Sequence, residues 1–410
     1  MNDNIGELQF NVYAENVGAP IENAKVTITD RDSESIIEEF RTDSSGQTPS
    51  IELPAPPVEY SLNPESPKPY SEYNVFVESE SFDKLSFFGV QVFPSSKAIG
   101  NADMKLITGN NESTQKILIQ EPVLWGAYPA KIPESEVKTL PDTPGFVVLP
   151  EVVIPEYIIV HLGTPNNTEA QNVWVTYKDY IKNVASSEIY STWPAETIRA
   201  NVIAIISFTL NRVYTEWYRA KGFDFTITNN TAFDQAFNYG RNIFEEISVI
   251  VDDIFSTYLT KPGITQPLFT QYCDGRKYVC EKGMKQWGSK ELGDDGFTSL
   301  DILRNYYGYD TFLEKAPKVE GVPVSYGGTV LSFGSTGDAV RTIQQQLNAI
   351  SNNFPVIQKL PVTGYFGELT QNAVKTFQSI FGLPSDGSVD FATWYAISNI
   401  FVSVKKLSEL

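Results

Sequence analysis

The first hundred residues alternate apolar and polar positions with a period of two in short runs. These are LQFNVYAE from Leu8, AKVTITD from Ala24, IIEEFRTD from Ile36, YNVFVES from Tyr73, FGVQVF from Phe88 and ADMKLI from Ala102. Turn-forming residues such as Asn16, Gly18, Pro20, Ser44, Ser45 and Gly46 punctuate them. The pattern predicts an antiparallel β-sandwich over residues 1–108. From 109 to 155 the alternation dissolves into EPVLWGAYPAKIPESEVKTLPDTPGFVVLPEVVIPEY, where recurrent prolines lack the amide donors that a ladder or helix requires. An extended, readily cleaved connector is predicted there.

Over 156–320 the apolar spacing becomes helical. TWPAETIRANVIAIISFTLNRVYTEWYR opens on the start signals Thr192 and Pro194, and Ile198, Val202, Ile205, Ile206, Thr209 and Val213 fall on one face. A second long helix is predicted from Asp234 to Tyr258, and strand-like YIIVHLG precedes both, so the region is α+β. A Gly/Pro-rich join, VEGVPVSYGGT, leads into 328–410. There LSFGSTGDAVRTIQQQLNAI and GYFGELTQNAVKTFQSIFGLPSDGSVDFATWYAI predict three short helices parted by glycine turns.

A chain of 410 residues exceeds what one core serves, so this multidomain reading is expected. The longest apolar run, Val202 to Phe208, is too short to cross a membrane, and MNDNIGELQF shows no secretory signal. The net charge of −19 is concentrated at the start: residues 1–149 hold 23 Asp and Glu against 10 Lys and Arg, a net −13. Such a balance excludes nucleic acid, which requires clustered cations. With one histidine, His161, and no G-x-S-x-G elbow, a serine hydrolase triad is excluded. The same histidine and two cysteines, Cys273 and Cys280, make a poor zinc site, so no metal or other cofactor is expected. His161 reads as structural, and the cysteines as either a local disulfide or two free thiols.

Three segments carry resemblances. Gly283-Met284-Lys285-Gln286-Trp287-Gly288-Ser289, then GFTSLDILRNYYG from Gly296, resembles the GMSQ(Y/W)GA signature and following helix of the stage II sporulation protein D domain. YIKNVASSEIYSTWPAETIRA resembles that domain's glutamate block, which implies that Glu188 is the catalytic acid/base. Cys280 and Ile206 stand where that domain has a histidine and an arginine, and Lys285 replaces its serine, as in the cortex-lytic branch. The N-terminal order of motifs resembles the carboxypeptidase regulatory-like sandwich, and 328–410 the three-helix peptidoglycan-binding module. In this order the three resemble the spore cortex-lytic enzymes of anaerobic endospore formers.

Physical chemistry points to the same glutamate. Cleaving a glycosidic bond requires a proton on the leaving oxygen, and a carboxyl in an apolar pocket can hold one. Val184, Ala185, Ile189, Tyr190 and Trp193 flank Glu188, whereas Glu196, in the first turn of its helix beside Arg199, is expected to stay ionised. Lys285, Gln286, Trp287, Trp193 and Tyr306 are the candidate substrate-binding residues, with core packing the stronger reading for Trp287 and Tyr307.

The resemblance implies a zymogen held in the spore, near cortex and coat. A subtilisin-like germination protease would cut it near Leu149 and Pro150, discarding −13 of the −19. The product would be a lytic transglycosylase of cortex peptidoglycan that leaves 1,6-anhydro ends, the occluding N-terminal region having gone. The alternatives are a non-catalytic peptidoglycan-binding or amidase-enhancing protein, and a hydrolytic muramidase.

Overall fold

The computed structural model describes residues 4–15, 18–107, 113–139, 152–316, 318–319, 329–390, 392–394, 396–398 and 400–401. The first strands are β1 (Ile5–Ala14), β2 (Lys25–Asp30), β3 (Ile36–Arg41), β4 (Ile51–Pro54), β5 (Ser71–Glu78), β6 (Lys84–Val92), β7 (Lys97–Met104) and β8 (Thr114–Leu118), with a one-turn α1 (Glu59–Leu62). One sheet runs β3-β2-β5-β6-β8, and β7-β1-β4 belong to the other. Alternate residues of β1 point inward, and Phe10 meets Phe87 of β6 across the sandwich at 5.3 Å between ring centroids.

The sandwich is mixed where an antiparallel one was expected. β7 runs parallel to β1 from Glu7↔Lys97 to Ala14↔Met104, and β8 runs parallel to β6. The chain leaves β6 and crosses at once to the other sheet. It therefore reaches β1 by a crossover, which is how parallel neighbours arise. β8 lies within the stretch read as connector.

The central region contains β9 (Val153–Ile154), β10 (Tyr157–His161), β11 (Asn172–Thr176), α2 (Tyr177–Glu188), α3 (Ala195–Tyr214), β12 (Ile227–Thr228), β13 (Ile243–Phe244), α4 (Glu245–Ile254), β14 (Thr257–Thr260), β15 (Tyr272–Cys273) and β16 (Met284–Lys285). It continues with α5 (Gln286–Asp294), α6 (Ser299–Tyr307), β17 (Phe312–Lys315) and β18 (Lys318–Val319). Pro194 caps α3 as its sequence predicts, and the helix is buried on nearly every side, which makes it the axis of the region. The helix expected from Asp234 to Tyr258 is shortened to α4. Residues 234–236 and Asn238 give their side chains or amides to tertiary hydrogen bonds, Gly240 takes φ +74°, and β13 follows. Those commitments override local helix preference.

β13 pairs antiparallel with β7 through Ile243↔Ile99, so the central region extends the N-terminal sheet. Phe93, at the end of β6, packs on Tyr190 at 5.1 Å, Phe244 at 5.2 Å and Tyr70 at 5.4 Å. One continuous apolar cluster runs from Leu8 to Ala316. The C-terminal region has its own core, with Val340, Ile343 and Leu347 of α7 (Asp338–Ile350) against Val374 and Phe377 of α8 (Glu368–Ile380) and Trp394. The expected third helix falls on 392–401, of which only part is described.

Replacing the ring at this joint should destabilise both sides together. Phe93→Ala is expected to cost about 3–5 kcal/mol. In calorimetry it should lower one transition shared by the sandwich and central region, leaving that of the C-terminal core in place.

Candidate functional site

Glu188 is the last residue of α2, and it is 1% exposed. Thr176 caps the start of α2 by accepting from Asp179 N. Further along, Asn183 donates to Asn238 O at 2.8 Å and accepts from Asn238 N at 2.9 Å, which ties the helix to the 234–240 loop. The Glu188 carboxyl then meets donors from three separate segments. Ala236 N donates to Oε1 at 3.0 Å, the Tyr272 hydroxyl to Oε1 at 3.3 Å, and Gln286 Nε2 to Oε2 at 3.2 Å.

The direction of the Tyr272 proton follows from its other partner. Gln235 Nε2 faces Ile205 O at 3.2 Å, and a carbonyl oxygen only accepts, so the same NH2 donates to the Tyr272 oxygen at 3.1 Å. The tyrosine must pass its own proton towards Glu188. Tyr180 and Thr209 complete the chain by donating to Gln235 Oε1 at 3.0 and 2.8 Å. Burial, then the neighbouring Glu188 charge, raises the Tyr272 phenol well above its ordinary range and keeps it a neutral donor.

The Gly283 motif is built to deliver Gln286. β15 and β16 pair in parallel, Tyr272↔Met284 and Cys273↔Lys285, so the strand that carries Tyr272 lies beside the one that leads into α5. Gly283 has φ +95°, and a Cβ there would lie 2.2 Å from Gln271 O. No side chain fits. Cys273 and Cys280 form a disulfide across the intervening loop. Asn201 of α3 holds Ser289 at 2.9 Å, which fixes the first turn of α5.

The structure joins Glu188 and Gln286 by a hydrogen bond, and the other expected site residues have different surroundings. Trp193 and Trp287 pack on each other at 5.0 Å and on Tyr190, and Trp193 Nε1 donates to Ser61 O. They are core residues, with no ring face free for a sugar, and the donors around Glu188 are polar where an apolar niche was expected. Lys285 caps α5 and is partly exposed, as is Tyr306 on α6. Tyr307 is buried and donates to Gln271 O at 2.9 Å. Glu196 accepts from Ser299 N at 2.6 Å, tying α3 to the start of α6. His161 has Asn172 and Thr164 as partners and stacks on Phe225 at 4.5 Å. Sequence reading missed Tyr272, Gln235 and Ala236.

Residues 121–138, expected as loose connector, form a strap along this site. Val123 N donates at 2.8 Å to the carbonyl of Ser187, beside Glu188. Gln271 accepts from Glu134 N at 2.9 Å and donates to Ile132 O at 2.7 Å, while Gln266 both accepts from Lys138 N and donates to Lys138 O at 2.9 Å. These amides supply what a ladder would have supplied. Lys131 lies 4.9 Å over the Tyr272 ring and donates to Asp234 O; burial lowers its ammonium while Glu188 pulls the other way. The expected cut near Leu149 and Pro150 lies outside the described residues.

Residues 336–397 match the family described as "Putative peptidoglycan binding domain". The chain thus carries a peptidoglycan-binding domain, and its role is cell-wall related. No curated protein matches the chain. Among solved structures, similarity is found to the Bacillus anthracis TIE protein, at 18% identity over 25% of this chain and 16% of that one, with a TM-score of 0.18. It is also found to GBS52, the minor pilin of Streptococcus agalactiae, at 10% identity over 27% and 49%, TM-score 0.18. A catechol 1,2-dioxygenase mutant of Acinetobacter radioresistens gives 12% identity over 28% and 58%, TM-score 0.18. The chain spans well under two thirds of each.

Strap docking should depend on pH through Lys138. Burial pushes its ammonium from 10.5 down to about 8, although Glu134 at 2.6 Å pulls it upward. Between those values the free strap binds a proton that the docked strap lacks, so docking gains strength as pH rises from about 8 to about 10.5. The difference in Tm between the protein and its Lys138→Met variant should therefore grow across that window, measured by thermal unfolding.

Proposed function

We propose that the chain is the stored form of a lytic transglycosylase that cleaves the N-acetylmuramyl–N-acetylglucosamine bond of spore cortex peptidoglycan. The observation that carries this reading is the single carboxyl of Glu188, buried and held by Ala236 N, Tyr272 and Gln286. Once the strap has left and solvent reaches the site, Glu188 takes up a proton and gives it to the glycosidic oxygen as the bond from muramyl C1 breaks. The carboxylate then takes the proton of the muramyl 6-hydroxyl as that oxygen bonds to C1. The acid is regenerated and a 1,6-anhydro end is left. Intramolecular attack is favoured because the nucleophile is already in place.

Hydrolysis by a muramidase uses a second carboxyl as base or nucleophile. The buried acids nearest in the chain to the Glu188 donors, Asp234 and Asp274, are already committed. Asp274 accepts from Lys277 N at 2.7 Å and Tyr278 N at 2.8 Å. Asp234 Oδ1 accepts from Arg212 at 2.8 Å, and its Oδ2 accepts from Tyr218, Thr228 N and Thr228 Oγ1 at 2.6, 2.9 and 2.7 Å. This favours the one-carboxyl reaction.

The strap supports storage in an inactive form. Glu188 is 1% exposed and the strap is bonded to the carbonyl of the residue before it, so on this reading the strap leaves before a polymer reaches the carboxyl. A subtilisin-like germination protease acting between Thr139 and Val152 would free the end of the strap that follows Lys138. The C-terminal domain would hold the enzyme on its substrate, in the cortex region of the spore.

The cut full chain should lyse cortex fragments and the uncut chain should not, followed by loss of turbidity. Glu188→Gln in the cut protein should lose about 10³-fold or more in rate, and Tyr272→Phe about tenfold. Full lysis by Glu188→Gln would instead establish the non-catalytic reading.

A further inference from the structure

Arg212, in the last turn of α3, has a side chain with no exposed surface. Its Nε serves Asp234 at 2.8 Å, a partner from its own region. Its outer edge faces Glu134 of the strap, with Nη2 to Oε1 at 2.6 Å and Nη1 to Oε2 at 3.1 Å; Nη2 also reaches Phe233 O at 3.1 Å. Burial works to raise the Glu134 carboxyl, and Arg212 and Lys138 outweigh it, so Glu134 stays ionised. Phe269 and Trp217 wall the guanidinium at 4.2 and 4.8 Å.

When the strap departs, this paired edge loses its carboxylate. The uncovered fork then has water in place of Glu134 on its Nη edge, and its two parallel N–H donors match a planar carboxylate bidentately. Gln266 and Gln271 lose their partners at the same moment. Both now grip peptide N–H and C=O groups of the strap, so what they would next accept is another extended peptide.

We propose that Glu134 holds the place of a substrate carboxylate, and that strap release opens at Arg212 a subsite for a carboxylate carried on the glycan strand. The source is a stem-peptide carboxylate or the lactyl carboxyl of a muramyl residue bare of peptide. The proposal rests on the reading of the cleft as a glycan-cleaving site, and deepens it. Three consecutive residues link the two places: Asp234 holds Arg212, Gln235 directs Tyr272, and Ala236 N holds Glu188. Residues two apart lie within about 7 Å along the backbone. The subsite thus lies on the same short loop as the Glu188 donor, and would let the site favour muramyl over plain N-acetylglucosamine polymers.

Binding tests it without recourse to activity. Full-length Glu188→Gln/Glu134→Ala protein, cut once between Thr139 and Val152 so that the strap can leave, is titrated by calorimetry with three soluble ligands. They are glycan strands with stem peptides, the same strands stripped by an amidase to lactyl carboxyls, and a chitin tetramer without carboxylate. At least one carboxylate-bearing ligand should bind about tenfold more tightly than the tetramer, and the stripped strand identifies which carboxylate is read. Arg212→Lys, added to the same protein and checked for an unchanged far-UV spectrum, should remove that preference. Equal affinity for all three ligands, or a preference that survives in folded Arg212→Lys, overturns the subsite. The C-terminal domain adds the same background to every variant. Should Arg212→Lys not fold, the uncut parent, whose strap still covers Arg212, gives the preference of the C-terminal domain alone, and a cut parent that shows no greater preference overturns the subsite. Lysis by the cut wild type combined with equal affinities would reject the subsite and leave the cleavage reading standing.

Discussion

A carboxyl taken out of water must be met by donors, and every feature of this cleft follows from meeting the one on Glu188. Leaving a buried carboxylate unpaired costs several kcal/mol. Here the donors come from Ala236, Tyr272 and Gln286, spread over some fifty residues that no single helix or strand supplies. The end of α2, the 234–236 loop, β15 and α5 therefore assemble together or not at all. α3 makes that possible. Buried all round, it offers Asn201 to α5 and Thr209 and the Ile205 carbonyl to Gln235.

The same economy governs the strap. Its prolines deny it a ladder, yet its remaining amides and carbonyls are matched by Gln266, Gln271 and backbone groups of the central region. Its charges pair inward, Glu134 with Arg212 and Lys138, and Glu136 with Lys261 at 3.2 Å. The strap is thus held through its backbone by glutamine side chains and through its carboxylates by Arg212 and Lys261. The sandwich is more than a detachable cover, since Phe93 and the β7–β13 pairing make it part of one core with the central region. Removing its acidic surface and removing its packing are different events.

What could be read beforehand was whatever repeats or stands contiguous in the chain. Strand alternation located β1, β2 and β5, Pro194 marked the start of α3, and two motifs flagged Glu188 and Gln286. Tyr272 and Gln235 escaped because each acts as a single residue through a contact 84 or 37 positions away, with no period to betray it. The long helix after Asp234 was misread for a related reason. Propensity sees neighbours in sequence, whereas the Asp234 carboxylate and the Ala236 amide are claimed by Arg212 and Glu188. Trp193 and Trp287 were placed at the substrate because aromatics suit sugars. Burial suits them better, and the tertiary contact between them was invisible in the chain.

The chemistry of the new chain ends tests the account most directly. Cortex fragments digested by the cut protein are reduced with borohydride and their termini identified by mass spectrometry. One carboxyl acting on a sugar that supplies its own nucleophile predicts 1,6-anhydromuramyl ends that resist reduction. Reducible muramyl ends, converted to the alditol, would mean that water attacked and that a second catalytic group exists, contradicting the assignment of the whole task to Glu188.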